Sequence, residues 1–421
     1  MKFYTHQTPI DARSRGQALP PLAPGVSWAR FGEETLLYAD EDTTMATAAA
    51  AAPSSRGARL PQRQADVSRE QLYVVVQSGR LFQQHHPRVP VIHDRGRFLL
   101  VKLSPKRARE LQGDNETCYG ILPLTENQVI FDVSERGVAA RAPVAFVQNL
   151  VNKVNRASFE ASLTKLVSFQ TRNSTSEEYV QSADFARQQL KTLGFQTRQQ
   201  QIAVNGATSR NIIADKTGKG SQGERQVVVV TAHLDSINLR GGPTAPAPGA
   251  DDNGSGSAGI LEIARVFQSH QSANDLRLIL FGGEEQGLFG SKRYVASLTA
   301  AEKARIRAVV NMDMIANLNG TTPSVLLEGS EISQSIIDGL ASSAATYTQL
   351  TIETSLIPFN SDHVSFINKG IPAVLTIEGA DNTNNNVHSA RDTLDKVSFD
   401  LALEILRMNV AFIASEIGDF S

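Results

Sequence analysis

The sequence predicts an α/β chain: a three-layer α/β/α sandwich with a mostly parallel mixed sheet, preceded by a small N-terminal α+β domain. Three observations carry this. From Pro143 onward, helical and strand patterns alternate. Several of the strand-like runs are apolar throughout, as strands buried on both faces are. Three of those runs (Val227 to Thr231, Leu278 to Phe281 and Val309-Val310) stand just before His233, Glu284 and Asp313. A parallel sheet gathers its strand ends along one rim, where side chains distant in sequence meet.

Taken in order, residues 1–68 read as a flexible segment and linker. The alanine run Ala48 to Ala52 with Pro53-Ser54-Ser55 marks a poorly ordered stretch. Residues 69–142 read as a small α+β domain of a size that just supports its own core. In it Leu72 to Val76 and Phe98 to Leu103 are strands, Ser104-Pro105 starts a helix to Leu111, Gly113 stops it, and Val129-Ile130-Phe131 is a last strand. His85, His86 and His93 have no Cys or acidic partner at ligand spacing and read as surface or loop residues. Residues 143–421 form the large domain. Its helices are Pro143 to Val154, Glu177 to Leu193, Ser255 to Gln268, Leu288 to Val295, Ser333 to Ser343 and Phe399 to Ile417. Its strands are Gln226 to Ala232, Leu276 to Phe281, Ala308 to Met312, Val325 to Leu327 and Ala373 to Ile377.

Composition narrows the function classes. The net charge of -2, from 41 basic and 43 acidic side chains, gives no electrostatic case for nucleic acid or an anionic membrane. No apolar run approaches the ~20 residues of a membrane span. Met1 to Pro20 lacks the apolar core of a secretory leader, which leaves a cytoplasmic protein or a sequence without its leader. The single cysteine, Cys118, excludes an internal disulfide and reads as a bystander. His270, at a helix end, reads as solvent-facing.

The chemistry concentrates in five segments: His233 in Thr-Ala-His-Leu-Asp, Asp251-Asp252 in Gly-Ala-Asp-Asp-Asn, Glu284-Glu285, Asp313 in Asn-Met-Asp-Met, and His388 in Asn-Val-His-Ser. Two imidazoles and at least three carboxylates on one rim suit a pair of hydrolytic divalent metals. Asp235, two residues after His233, is placed to accept its second ring N–H. Asp251 and Asp252 point apart in extended chain, so one of them can bridge two cations while the other caps or fills the loop. Adjacent glutamates likewise diverge, one toward metal and one toward water. Taken alone, paired glutamates usually open a helix and a loop histidine usually faces solvent.

The order and spacing of these segments resemble the M28 family of zinc peptidases, in particular the secreted bacterial leucine-type aminopeptidases, over roughly Ser162 to Phe420. The approach from Thr171-Arg172-Asn173-Ser174-Thr175-Ser176 to Leu193-Gly194-Phe195 is similar too. The resemblance implies two zinc ions held by His233, Asp252, Glu285, Asp313 and His388. Asp252 is then the bridge, often followed by a cis peptide, with Asp251 as competing candidate. Asp235 supports His233 from behind, Asp313 shares a metal with His233, and Glu285 shares the other with His388. Glu284 becomes the general base that takes a proton from the attacking water and returns it to the leaving amine. Asp362 and His363, in Ser361-Asp362-His363, become positioning residues. The implied substrates are peptides with a free N-terminus, and Met314, Phe359 and Ile377 are candidate walls for a leucine-like side chain, although core packing is the default for such residues. The family also favours export, with a propeptide-like or accessory role for residues 69–142.

Three rivals remain in view. Gly254-Ser-Gly256-Ser-Ala-Gly259 matches a dinucleotide fingerprint but follows a loop, and no suitably placed acid closes the unit. A non-catalytic binding ectodomain on the same scaffold is opposed by the intact set of five positions and base. A carboxypeptidase or dipeptidase on a related site, and glutaminyl cyclases with one zinc, share similar motifs.

Overall fold

The computed structural model describes residues 1–7, 24–40, 62–113, 119–134 and 140–420. The alanine run and Cys118 lie outside them. None of the described helices is long and apolar enough to cross a membrane.

The large domain is a three-layer sandwich with its sheet in the middle. Four strands form the parallel centre: β12 (Val227–His233), β13 (Asp275–Phe281), β14 (Ile306–Met312) and β17 (Ala373–Glu378). β10 (Gln196–Val204) and β11 (Ala207–Lys216) add an antiparallel flank beside β13, while β15 (Ser324–Glu328) and β16 (Thr351–Ser355) extend the other side from β17. Along β12, alternate side chains serve opposite cores. Val228, Val230 and Ala232 pack against helices Glu177–Thr192, Gly256–Phe267 and Phe399–Ile417. Val227 and Val229 pack toward Tyr294, Val295 and Phe366. Burial on both faces is why this strand opens on four successive valines instead of alternating apolar with polar residues. Side-chain caps fix helix starts where the sequence placed them: the Ser176 hydroxyl accepts from the Tyr179 amide at 3.0 Å.

The N-terminal residues depart from expectation. Four strands lie within 1–68, the stretch read as flexible: β1 (Lys2–Gln7), β2 (Val26–Phe31), β3 (Glu34–Ala39) and β4 (Gln62–Gln64). β9 (Gln128–Ser134), expected to close the small domain, instead runs between β2 and β16, so one 13-stranded sheet passes from the large domain into the N-terminal residues. Its order is β10-β11-β13-β12-β14-β17-β15-β16-β9-β2-β3-β1-β4. A second sheet, β6 (Val91–Arg95), β7 (Phe98–Lys102), β5 (Leu72–Gln77) and β8 (Tyr119–Pro123), packs on this extension. Phe31, Val74, Leu100, Phe131 and Ile357 share the resulting core. The expected small unit is therefore a four-stranded sheet with the expected helix, Pro105–Gly113, on one face and a layer borrowed from residues on both sides of it on the other.

The turn between β6 and β7 inserts Arg97 into the large domain. Its Nε and Nη2 donate to Glu328 at 3.2 and 3.3 Å, and its Nη1 donates to Asp381 at 2.6 Å. All three side chains are buried. Removing one member of such a group leaves charge without a partner, so Arg97→Ala should cost about 3–5 kcal/mol of stability. Arg97→Met should cost nearly as much, because the retained stem cannot answer the two carboxylates. Denaturant midpoints measure both, and a loss below ~1 kcal/mol in Arg97→Met would show the ion pairs to be dispensable.

Candidate metal centre

The rim formed by β12, β13 and β14 brings the predicted residues together. His233 is the last residue of β12, and Asp313 follows β14 directly. Their parallel registry sets them side by side, and His233 Nε2 lies 3.0 Å from Asp313 Oδ1. A chain of hydrogen bonds fixes this pair from below: Thr231 donates to Asn311, Asn311 to the Ser361 hydroxyl, and Ser361 to Asp313 Oδ2 at 2.6 Å.

Asp252 stands between two histidines. Its Oδ1 is 3.3 Å from His233 Nε2 and its Oδ2 is 3.1 Å from His388 Nε2. The peptide to Asn253 is cis. Asn253 then ties the loop to the neighbouring strand, donating to the Met312 carbonyl at 2.9 Å and accepting from the Gly256 amide. Asp251 points the other way, accepting from the Ala316 amide at 2.9 Å and the Asn384 amide group at 2.8 Å. The divergence of the adjacent acids is thus observed, with Asp252 on the side of the histidines.

Gly282-Gly283 follow β13 directly, and the glycines are needed. A Cβ on Gly282 would meet the Tyr179 hydroxyl at 2.2 Å, and Gly283 has φ +68°. Beyond them Glu285 Oε2 lies 3.0 Å from His388 Nε2, whereas Glu284 Oε2 is 4.0 Å from His233. Asp235 differs from expectation. The His233 Nδ1 faces its main-chain carbonyl at 3.1 Å, and its carboxylate accepts the amides of Glu284 and Glu285 at 3.3 and 3.2 Å. It orients both the histidine and the glutamate pair, the second by a route the sequence reading did not foresee.

The electrostatics follow from packing acids and imidazoles out of water. Burial disfavours charge on both histidines, yet Asp313 and Glu284 hold His233, and Glu285 and Asp252 hold His388, well above the ordinary histidine range. Burial pushes Asp252 up, but hydrogen bonds from the two histidines hold it below the usual carboxylate range. Burial pushes Glu285 up to about 7 against the pull of His388. It raises Glu284 well above its usual value, offset in part by His233 and reinforced by Asp313 and Asp362. Several buried carboxylates packed around two imidazoles favour positive charge between them, which divalent ions can supply. Ligand atoms of His233, Asp252 and Glu285 all lie within 4.8 Å of one another. The closest N···O separations, 3.0–3.3 Å, match the ~3.3 Å expected between two ligands of one tetrahedral zinc.

A small cavity of about 60 Å³ opens onto the cluster, lined by His233, Asp252, Glu284, Glu285, Asp313 and His388. Met314 and Ile377 are among its apolar walls, with Leu375. Phe359 is not. Its ring lies 5.8 Å from the Arg97 guanidinium carbon and packs with the N-terminal cores. Asp362 and His363 are fully buried and do not line the cavity; His363 Nε2 sits 3.5 Å from Glu328. Ser78, Gly79 and Arg97 also line it, so the N-terminal residues reach the site. Met314, Asn360 and His388, all at this cavity, adopt positive φ without being glycine, the kind of local strain that collects at functional sites.

Two supporting residues escaped the sequence reading. Arg172 is fully buried and donates to the carbonyls of Leu166, Leu234, Pro248 and Gly249, clamping the loops that carry His233 and Asp252. Asp392 accepts the amides of Asp251 and Asp252, each at 2.9 Å.

Comparison with known proteins agrees with this geometry. Residues 211–413 match the model of Peptidase family M28. Leucine aminopeptidase 1 of Arthroderma otae is 30% identical over 351 residues, covering 75% of this chain and 91% of that protein. Leucine aminopeptidase 1 of Trichophyton rubrum is 28% identical over 355 residues, covering 76% and 92%. Among solved structures, the LapA aminopeptidase of Legionella pneumophila superposes with a TM-score of 0.59 at 18% identity, over 83% of this chain and 99% of that one. An aminopeptidase from Aneurinibacillus sp. strain AM-1 gives 0.55 at 18% identity, over 65% and 97%. At these identities the two structures speak for the fold alone.

Proposed function

The chain belongs to peptidase family M28, and from that premise we propose that it is a two-zinc aminopeptidase that removes apolar, leucine-like residues from the free N-terminus of peptides. The observation that carries the reading is the split of Asp252, one carboxylate oxygen toward His233 and the other toward His388. This is the arrangement a bridge between two cations requires. His233 and Asp313 would hold one ion, and His388 and Glu285 the other. When bound, the ions supply Lewis acidity, lowering the pKa of the attacking water and polarising the peptide carbonyl.

The remaining work falls to this chain's own groups. Glu284 is buried at the cavity wall and makes the longest approach of the cluster to His233, which leaves its carboxylate for proton transfer. It takes the water proton and delivers it to the leaving amine. Asp235 fixes the backbone of Glu284, so the base and its neighbour are positioned together. Met314, Leu375 and Ile377 offer the first side chain an apolar wall. The same family resemblance supports an exported protein.

Leucine p-nitroanilide and the same compound acetylated on its amine provide the test, beside metal analysis. Hydrolysis of the free form only, with two zinc ions per chain, is the expected result. Equal cleavage of the blocked form, or no more than one ion under saturating zinc, would sink the proposal.

A further inference from the structure

A second, larger cavity of about 360 Å³ continues from the first, with Ser78, Gly79, Leu239, Val387 and His388 as shared walls. Its chemistry is the reverse of the inner one. The inner wall carries Asp252, Glu284, Glu285, Asp313 and Asp381, and its one arginine, Arg97, is held by Asp381 and Glu328, whereas no carboxylate lines the outer cavity and three arginines do: Arg80, Arg240 and Arg391. The three are differently engaged. Arg80 pairs with Asp94 at 2.5 Å. Arg391 donates to the Asn385 carbonyl at 2.6 Å, which aims the guanidinium without neutralising it. Arg240 has no side-chain hydrogen bond or ion pair among the described residues. Two of the three cations, both solvent-exposed, therefore line the cavity with no acidic partner among the described residues, in a chain whose overall charge is slightly negative.

A substrate whose amine and first side chain occupy the inner cavity must lead its leaving part outward past His388. Extended chain advances about 3.3–3.6 Å per residue, so the second and third residues enter the outer cavity. We infer that this groove binds a carboxylate one or two residues beyond the scissile bond, received by Arg240 and Arg391. The inference rests on the aminopeptidase reading above. It makes the site dipolar, amine at the acidic inner end and carboxylate at the basic outer end. The carboxylate has two sources, the C-terminus of a tripeptide or an Asp or Glu side chain in a longer peptide.

Two matched pairs distinguish the sources: Leu-Gly-Gly against its amide, and amidated Leu-Gly-Asp-Gly against amidated Leu-Gly-Asn-Gly. In the wild type the carboxylate member of at least one pair should have a KM lower by about tenfold with similar kcat, the scale of a charge-assisted hydrogen bond at a partly exposed site. The ratio should shrink as salt is raised. Preference in the first pair alone identifies short peptides as the carboxylate source, and in the second alone acidic side chains. In Arg240→Gln/Arg391→Gln the ratio should fall toward one, in the double lysine variant it should largely return, and in Arg240→Glu/Arg391→Glu it should invert. Equal KM within both pairs, or a ratio that survives the charge reversal, overturns the inference. Wild-type hydrolysis of leucine p-nitroanilide reads out the aminopeptidase activity separately: if it holds without a carboxylate preference only the groove fails, and if it is absent both readings fall.

Discussion

Glu284→Gln is expected to lower kcat by about 10²–10⁴ while the chain keeps two zinc ions, whereas Glu285→Gln should lose a metal. The two glutamates are adjacent, both with largely covered side chains, and delivered by the same strand, so their placement is what separates them. Glu285 Oε2 lies 3.0 Å from His388 Nε2, within the separation of two ligands on one ion. Glu284 stands 4.0 Å from His233 and faces the cavity. Glutamine preserves shape and hydrogen bonding but accepts no proton, so the Glu284 variant removes the transfer step and little else. Zinc content and kcat measured on both variants decide the assignment. A Glu284 variant that loses zinc beside a Glu285 variant that keeps both ions reverses it.

The second large effect is expected at the paired aspartates. Asp252→Asn replaces one carboxylate oxygen by an amide nitrogen, which cannot bind a cation. Zinc should fall from two ions to at most one, with kcat lower by about 10³ or more, the scale of losing a preorganised electrostatic partner of the transition state. Asp251→Asn is the control. Its carboxylate faces the Ala316 amide, Asn384 and Ser255, so the variant should keep both ions and lose stability instead. Metal analysis of the two proteins after gel filtration separates them. Retention of both ions by the Asp252 variant with loss in the Asp251 variant would exchange their roles.

What the sequence made legible follows from what leaves a trace in side-chain type. β12, β13 and β14 are rich in apolar residues because both faces are covered, and chemistry-bearing residues gather at their ends along the rim of the proposed site. Both properties are written in one-dimensional order. β10 was missed because it is an edge strand, and its run of Gln and Arg faces solvent instead of a core. β1 to β4 were missed for a different reason. Apart from the β2–β3 hairpin, their partners lie far away in sequence, and the short runs between polar stretches look like linker until the pairing is seen. Arg172 and Asp392 were invisible as supports because they act on main-chain carbonyls and amides, which every residue has. Asp235 was recognised as a helper of His233, but its hold on the glutamate amides rests on backbone groups and could not be read in the same way. Phe359, a candidate wall for which core packing is the default, takes the default. An aromatic residue near a recognised segment invites a pocket role, and the N-terminal core claims it.

The passage of β9 between β2 and β16 bears on what a protease can do to this molecule. Asp132, Val133 and Ser134 are laddered to Thr354, Glu353 and Ile352, all before the connection that leads to helix Ala145–Val151. A cut in that connection severs the covalent link and touches none of the ladder. The described residues before the cut stay attached to the rest by main-chain hydrogen bonds, by the core around Phe131 and Ile357, and by Arg97 in its socket of two acids. Clipping and shedding are then separate events with separate energy barriers. A clipped enzyme keeps Ser78, Gly79 and Arg80 in the walls of its two cavities, and only a shed one presents β16 as a raw edge open to another strand.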